Sequence, residues 1–397
     1  ITVSELADTV TIHRDEWGVP HIYASNTYDL FFAQGYTQAQ DRWWQMEFSR
    51  AIGRGEIQEL TGQQRSVMGQ DVFIRTVGWR RMAENDLAAM NPETVNKLQA
   101  FADGVNAYIS NRSAGELAFE YNALGITGVN IPVDPGTPLD SVGWTKVMAW
   151  DLSGNRGAEL ALSELLGTLD EEMVADYVPE WPYGERPTIL QPEDLPQAGE
   201  SFSDRVASYN GIRGLGPDTI ANIDLKQNFA FGSGEGIGSN NWVVAPSRSV
   251  SNKPILCNDP HLKMALPATW YLTHLSADAG SSGETGYEVW GASIPGSPGV
   301  HLGRNRRLGW GVTAALCDDA DLYREKLHPN DSDRYLAGDK WEKMECRKEI
   351  IRVKGKKEIT KSLRFTRHGP VISDFMGDSS PEEVLSLKWA AHDASEE

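Results

Sequence analysis

Apolar and polar residues alternate in two short segments near the start of the chain, Thr9 to His13 and Val19 to Tyr23, around a turn at Asp15 to Gly18. Alternation with a period of two is typical of β-strands that bury one face. The pattern therefore predicts a β-hairpin at the beginning of the fold.

Apolar positions then recur at helical spacing. The segment from Thr27 to about Ile52 has no proline, one glycine and many aromatic residues, which predicts a long helix. Asn91 before Pro92 is typical of a helix start, because a cap residue is followed by proline in the first turn. Met148 to about Leu169 is predicted to be helical with a break near Gly154.

Turn-forming residues are dense between Trp181 and Gly216, which indicates a boundary or a connector. After Ser239 the pattern changes to short β-like runs. These runs are Asn241 to Ala245, Pro254 to Asn258, Tyr287 to Trp290, Leu308 to Thr313 and Glu349 to Val353. Helices combined with many antiparallel-type strands favour an α+β layered architecture, and 397 residues predict two domains or one large layered domain.

Charge and composition exclude several classes of function. The net charge of −19 argues against a nucleic-acid partner, which requires a basic surface. The sequence has no run of 18 apolar residues, so it predicts no membrane-spanning helix. Three scattered cysteines are too few for a disulfide framework or a zinc site. We find no G-x-S-x-G, S-x-x-K, H-E-x-x-H or P-loop motif.

A glycine-rich run, Gly232 to Gly238, ends directly before Ser239. Because a predicted strand follows it rather than a helix, the run does not predict a dinucleotide site, and we expect no organic cofactor. Cleavage of the Gly238–Ser239 bond would instead give Ser239 a free α-amine, with a pKa of about 7.7 to 8.0, beside its own hydroxyl. The hydroxyl itself could attack the Gly238 carbonyl and start that cleavage. A flexible linker is the alternative interpretation of the same residues.

Five segments in the same order resemble the penicillin acylase (penicillin amidase) family of N-terminal nucleophile hydrolases, which includes cephalosporin and acyl-homoserine-lactone acylases. The Ser239 segment is the most specific of them. The segments are RDEWGVPHI from Arg14 to Ile22, FFAQGYTQAQDRWWQMEFSRAIGRGEIQELTG from Phe31 to Gly62, SNNWVVAPSRSVSNKPILCNDPHL from Ser239 to Leu262, LGWGVTAALCDDADLYRE from Leu308 to Glu325 and TRHGP from Thr366 to Pro370.

The resemblance implies an αββα sandwich and a precursor that removes a spacer to give an α chain and a β chain. On this basis we assign residues 1–199 to a mostly helical α chain, residues 200–238 to the spacer, and residues 239–397 to the N-terminal part of the β chain. The family's second oxyanion donor, an Asn side chain, and an Arg would then lie beyond Glu397. Relatives are often exported, which together with a start at Ile1 lacking Met favours a periplasmic or secreted location.

The resemblance also implies the catalytic residues. Ser239 corresponds to the nucleophile and, through its amine, to the base of an amide hydrolase that cleaves an N-acyl group from a small amine, such as a β-lactam nucleus or homoserine lactone. His261 would orient that amine or hydroxyl, and a histidine there favours cephalosporin-type or lactone-type substrates slightly. The backbone N–H of Ala314, or of its neighbour Ala315, would stabilise the oxyanion. The alternative for His261 is a turn histidine after Asp259 and Pro260.

Further residues follow from the resemblance with open alternatives. Met148, Trp150 and Trp242 are candidates for the substrate pocket, although Met148 and Trp242 could as easily be core residues. Asp318, the Ala320 carbonyl and Asp321, with Glu159 from the α chain, would hold a structural Ca²⁺. Solvated acids and a helix-face glutamate are the simpler interpretation. An uncleaved relative that only binds acylated small molecules is the alternative function.

Overall fold

The computed structural model describes residues 3, 5–62, 65–126, 133–153, 155–177, 238–278, 286–314, 318–375 and 383–393. The predicted boundary between residues 199 and 200, and the turn-rich segment from Trp181 to Gly216, lie outside these ranges. The predicted boundary between Gly238 and Ser239 lies inside them.

Helices dominate the part of the chain before residue 178. They are α1 Thr27–Arg54, α2 Ile57–Thr61, α3 Arg65–Val77, α4 Trp79–Ala89, α5 Pro92–Ile109, α6 Ala114–Leu117, α7 Phe119–Ile126, α8 Pro138–Leu152, α9 Asn155–Thr168 and α10 Glu171–Tyr177. None of the described helices is long and apolar enough to cross a lipid bilayer.

Strands dominate the part after residue 237, and a hairpin precedes the first helix. The strands are β1 Thr11–Arg14, β2 Pro20–Ala24, β3 Gly238–Val244, β4 Ile255–His261, β5 Tyr271–Ala277, β6 Tyr287–Ser293, β7 Leu302–Arg304, β8 Gly309–Trp310, β9 Ala320–His328, β10 Asp331–Ala337, β11 Lys340–Lys343, β12 Glu345–Ile351, β13 Ile359–Thr366, β14 Gly369–Pro370 and β15 Glu383–Trp389.

The predicted helix start at Asn91 and Pro92 is confirmed, and α1 has caps at both ends that the sequence analysis did not name. The Asn26 side chain accepts a hydrogen bond from the Asp29 N–H at 2.8 Å at the start of α1, and Gly55 ends that helix with a left-handed φ of 64°. Asn91 caps α5 in the same way. The predicted break near Gly154 separates α8 from α9. However, α8 begins ten residues before Met148, at Pro138, after a capping box formed by Thr137 and Asp140.

The strands form four sheets in the described residues. The largest has the order β1-β2-β5-β6-β7-β8, and the others are β11-β10-β9-β15, β12-β13-β14 and β3-β4. Neighbouring strands are antiparallel except β2 and β5, which run parallel with His21 opposite His274. This pairing places the predicted N-terminal hairpin beside strands that follow Ser239. The mixture of helices and mainly antiparallel sheets confirms an α+β fold.

Two cores join the helices to the sheets. Ile22, Leu30 and Leu275 belong to a buried cluster between α1 and the six-stranded sheet. Trp79 and Trp150 from α4 and α8 pack with Leu387 and other buried residues of β9 and β15 in the larger cluster. Both cores therefore combine residues from before and after the glycine-rich run.

The crossing of α1 and α5 depends on two glycines. A Cβ atom at Gly35 would lie 2.0 Å from the Phe101 carbonyl oxygen, and one at Gly104 would lie 1.8 Å from the Phe32 carbonyl oxygen. No side chain fits at these distances, so glycine lets the two helix backbones touch.

We expect Gly104→Ala to lower the free energy of unfolding by about 1–3 kcal/mol or more, because its methyl group would force α1 and α5 apart. Urea unfolding measures the change. Gly167→Ala is the matched control, because a Cβ there meets nothing within 4 Å, and it should stabilise α9 by up to about 1 kcal/mol. Equal stability of the two variants would contradict the close helix crossing.

Candidate active site and candidate metal centre

Ser239 is the second residue of β3, which pairs antiparallel with β4. Gly238 lies opposite His261, and Ser239 lies opposite Pro260. The Ser239 hydroxyl donates a hydrogen bond of 2.6 Å to the carbonyl oxygen of Gly238. The nucleophile predicted from the sequence is thus in contact with the carbonyl of the bond that it would attack.

His261 closes the same strand pair at the end of β4. Its Nε2 atom lies 3.0 Å from Asp259 Oδ2, and both side chains are exposed. Residues i and i+2 of a strand share one face, which explains this contact. Among the described residues the imidazole therefore contacts Asp259 rather than the Ser239 hydroxyl, and its orienting role stays a prediction.

Asn258 connects β3, the strand that carries Ser239, to the segment that follows β8. Its Nδ2 donates hydrogen bonds to the Asn240 carbonyl at 2.9 Å and to the Val312 carbonyl at 3.0 Å. Its Oδ1 accepts a hydrogen bond from the Val312 N–H at 2.9 Å. One side chain thus fixes the backbone next to Ser239 relative to the backbone two residues before Ala314.

These bonds correct one prediction from the sequence. Leu308 to Thr313 was expected to form a strand, yet β8 covers only Gly309–Trp310. The reason is that both backbone groups of Val312 bond to the Asn258 side chain instead of a neighbouring strand. Gly311 allows this approach, because a Cβ there would lie 2.8 Å from the side chains of Asn241 and Asn258.

Ala314 is exposed and follows Val312 in this segment, while Ala315 lies outside the described residues. The segment thus reaches the Ser239 strand pair from the side of β4. Backbone N–H groups such as those of this segment are hydrogen-bond donors of the kind that can stabilise an oxyanion. The assignment of the Ala314 N–H to the oxyanion stays a prediction.

The three predicted pocket residues lie in different environments. Trp150 is fully buried in α8, and its ring meets those of Phe73 and Trp389 edge to face, each at a centroid distance of 5.3 Å. Met148 is partly buried against the same cluster, as is Leu262, the residue after His261. Trp242 is 52% exposed on β3. Met148, Trp150 and Leu262 thus share one core cluster, of which Trp242 is not a part.

The predicted calcium ligands come together. Carboxylate oxygens of Glu159, Asp318 and Asp321, here called the acidic cluster, lie within 4.8 Å of one another. Glu159 is buried on α9, and its Oε2 accepts a hydrogen bond of 3.0 Å from the Leu322 N–H of β9. Ala320, the fourth predicted ligand, is the buried first residue of β9 between the two aspartates.

The neighbouring aspartate has a different role. Asp319 accepts hydrogen bonds from the Ser153 hydroxyl at 2.5 Å and from the Trp389 indole N–H at 3.2 Å. It ties the end of α8 to β15. Asp318 and Asp321 are therefore the acids of this segment that group with Glu159.

Electrostatics of the acidic cluster favour a cation. Burial, and secondarily the charges of Asp321 and Asp318, raise the pKa of Glu159 to about 7, although the hydrogen bond from Leu322 opposes the shift. Oxygen atoms bound to one Ca²⁺ at about 2.3–2.6 Å can lie up to about 5 Å apart, so the observed spacing fits. Three carboxylates on one side of a small space are the donor set of a hard divalent cation.

Comparison with known proteins gives the family of the chain. The penicillin amidase family profile matches residues 9–397, so this chain belongs to the penicillin amidase family. It is 30% identical over 378 residues to the acyl-homoserine lactone acylase QuiP of Pseudomonas aeruginosa, covering 95% of this chain and 41% of the relative. It is 28% identical over 408 residues to the penicillin acylase 2 proenzyme of Pseudomonas sp. strain SE83, covering 100% of this chain and 47% of the relative.

Among solved structures, the chain is similar to a thermostable penicillin G acylase from Alcaligenes faecalis in tetragonal form. That similarity has 25% identity and a TM-score of 0.40, and it covers 46% of this chain and 98% of the other. The chain spans less than half the length of the two curated relatives named above.

Asn258 was missed by the sequence interpretation, although it lies within the NDPH segment quoted for the resemblance.

We expect Asn258→Ala to accelerate hydrogen exchange of the Val312 amide about 10- to 100-fold, because lost hydrogen bonds of this kind are worth about 1–3 kcal/mol. Asn240→Ala is the control, since the Asn240 group that accepts the hydrogen bond from Asn258 is its backbone carbonyl, which the substitution keeps. Unchanged exchange at Val312 in the Asn258 variant would show that this side chain does not hold the segment.

The pKa of Glu159 gives a pH dependence. The carboxyl has an ordinary pKa of 4.5 when unfolded and about 7 when folded, so the folded chain binds the proton more tightly. The free energy of unfolding should therefore fall as pH rises from about 4.5 to about 7 in the presence of a chelator.

We expect Glu159→Gln to remove this fall, and we expect calcium to raise the melting temperature of the parent, but not of the variant, above pH 7. Glu172→Gln, which alters an exposed acid on α10, should behave as the parent does. A calcium response of the same size in Glu159→Gln and in the parent would exclude Glu159 as a ligand.

Proposed function

We propose that this chain carries the nucleophile of an acylase that hydrolyses the amide bond of N-acylated small amines. Membership of the penicillin amidase family supports the reaction class. The observation on which the proposal depends most is the 2.6 Å contact between the Ser239 hydroxyl and the Gly238 carbonyl oxygen, at the first residues of β3.

The contact suits cleavage of the chain by its own serine. Ser239 Oγ attacks the Gly238 carbonyl carbon, the C–N bond breaks, and the proton of the hydroxyl passes to the new α-amine. The product is an ester between the Gly238 acyl group and Ser239 Oγ. Water then hydrolyses the ester and leaves a carboxylate on Gly238 and a free hydroxyl on Ser239. In this proposal the spacer, residues 200–238, ends at the scissile bond.

The freed Ser239 then has both groups that amide hydrolysis requires. Its α-amine, with an ordinary pKa of about 7.7 to 8.0, can accept the hydroxyl proton near neutral pH. Oγ attacks the substrate carbonyl, the amine product leaves with the proton, and water cleaves the acyl-enzyme. The Ala314 N–H is the proposed donor to the oxyanion, and His261 is the proposed orienting group for the serine.

The substrate class follows from the names of the relatives. One acts on acyl-homoserine lactones and another on penicillin, so the shared substrate is an acyl group in amide linkage to a small cyclic amine. We assign the acyl group to the side of Met148 and Trp150, because Leu262 links the end of β4 to their core cluster. Trp242, which is exposed on β3, is assigned to the entrance.

Two further features complete the proposal. The acidic cluster, with the Ala320 carbonyl, would hold a Ca²⁺ that neutralises the carboxylates and joins α9 to β9. The packing of α1 against the six-stranded sheet, and of α4 and α8 against β9 and β15, supports the αββα arrangement of the family.

Self-cleavage can be tested on the full-length protein. Intact-mass measurement and N-terminal sequencing should give a chain that begins Ser-Asn-Asn-Trp, and Ser239→Ala should stay uncut and lose hydrolysis of phenylacetyl, glutaryl and long-chain acyl amides by about 10³-fold or more. Ser247→Ala, an exposed serine eight residues later, should be cut and active. Cleavage of the Ser239 variant at the same bond, or an uncut but active parent, would overturn the proposal.

A further inference from the structure

A row of imidazoles crosses the six-stranded sheet away from Ser239. His13 of β1 lies opposite His21 of β2, and His21 lies opposite His274 of β5. The row continues with Trp290 of β6, whose ring stacks on His274 at a centroid distance of 4.6 Å and an interplanar angle of 6°. Three histidines on adjacent strands thus share one face of the sheet.

Two of these rings meet through nitrogen. His21 Nδ1 and His274 Nδ1, here called the histidine pair, lie 3.1 Å apart. The opposite nitrogen of each ring faces a carboxylate, with Asp15 Oδ2 at 3.6 Å from His21 Nε2 and Glu288 Oε1 at 3.7 Å from His274 Nε2. Histidines that bind metals often have a carboxylate at the outer nitrogen. Here both separations exceed hydrogen-bond length, and His274 Nε2 has no hydrogen-bond partner among the described residues.

The positions of the ring hydrogens decide whether the space between the two Nδ1 atoms attracts a cation. When both rings carry hydrogen on Nε2, two Nδ1 lone pairs face each other. Either a hydrogen bond from an Nδ1–H tautomer or a metal ion relieves that repulsion. Neutral imidazoles are the form that binds a metal.

The spacing fits a transition metal. Two nitrogens at about 2.0–2.1 Å from one ion, at 90–109° to each other, lie about 2.9–3.4 Å apart. The observed 3.1 Å falls within that range. Nitrogen donors select Zn²⁺, Cu²⁺ or Ni²⁺ over Ca²⁺, which takes oxygen ligands. The His21 side chain is 26% exposed and that of His274 only 6%, so the pair reaches solvent on the His21 side.

Charged groups of both signs surround the histidine pair. Glu288 also contacts Arg306 at 3.1 Å, and Arg304 lies over the Trp290 ring at 4.6 Å from its centroid. Asp15 accepts hydrogen bonds from the Trp17 and Val19 N–H groups, which hold its carboxylate in place. His13, with its ring centroid 6.4 Å from that of His21, is the nearest further imidazole of the row.

We propose that His21 and His274 form a binding site for a divalent transition-metal ion, distinct from the acidic cluster, with Asp15 and Glu288 as its outer carboxylates. The site joins a strand from before residue 178 to a strand from after residue 237. It depends on neither self-cleavage nor amide hydrolysis.

Zinc titration of the full-length protein tests the site, with calcium present to occupy the carboxylates of the acidic cluster. We expect one zinc ion per chain to be lost, or its affinity to fall at least tenfold, in His21→Gln and in His274→Gln. Asp15→Asn should weaken binding about tenfold or more, because outer-shell partners have effects of that size. His328→Gln, a histidine outside the row, should bind as the parent does.

Cu²⁺ electron paramagnetic resonance identifies the donors. The parent should show coupling to two ring nitrogens, and His21→Gln should show fewer. Zinc binding that is absent in the parent, or equal in the parent and both pair variants, would overturn the site. Because Ser239→Ala should bind zinc normally, failure here is distinguishable from failure of the proposed acylase reaction.

Discussion

The structure depends on a core that is shared by the chain segments on either side of the glycine-rich run. Trp150 of α8 and Trp389 of β15 meet edge to face in a cluster that also buries Trp79 and Leu387. Strand β2 adds a parallel neighbour to β5 in the same way. Burial of apolar area contributes about 25 cal/mol per Å², so such a core holds two pieces together without a covalent link. A cut before Ser239 would therefore break one bond and leave the core contacts intact.

Strand β3, which carries Ser239, has little packing of its own. Most side chains of β3 are exposed, and β4 is its only partner strand in the described residues. A two-stranded sheet is marginally stable alone. Two contacts compensate for this low stability. Asn258 bonds to Val312, and the Leu256 side chain packs so close to Gly309 that a Cβ at Gly309 would lie 3.2 Å from it. The position of Ser239 relative to residues 311–314 thus depends on one amide side chain and on two glycines.

The range of each interaction along the chain explains what the sequence could predict. The Asn26 and Asn91 caps, the N-terminal hairpin and the start of β3 depend on neighbours within a few residues, and their patterns are legible. The same holds for the capping box at Thr137, a local signal that was overlooked. The acidic cluster joins residues far apart, and it was predicted only because family resemblance supplied the long-range information.

Long-range interactions for which the family resemblance gave no information could not be predicted from the sequence. His21 and His274 are separated by 253 positions, and only the parallel register of β2 and β5 brings their nitrogens together. The Asn258 contacts span 54 positions and replace the strand that local alternation favoured at Val312. In both cases the side chains are polar and ordinary in sequence, and tertiary structure gives them their role.

The acidic cluster and the histidine pair differ in the cations that their donor atoms would select. Glu159 and the aspartates offer only oxygen, which suits a hard ion, whereas the histidine pair offers only nitrogen, which suits a borderline one. Each site draws ligands from both sides of the glycine-rich run. Metal binding at either would therefore add a link between the segments that the proposed self-cleavage would separate, and the stabilisation would grow with ion concentration relative to the dissociation constant. Since the links use different ions, the two contributions are separable by choice of metal.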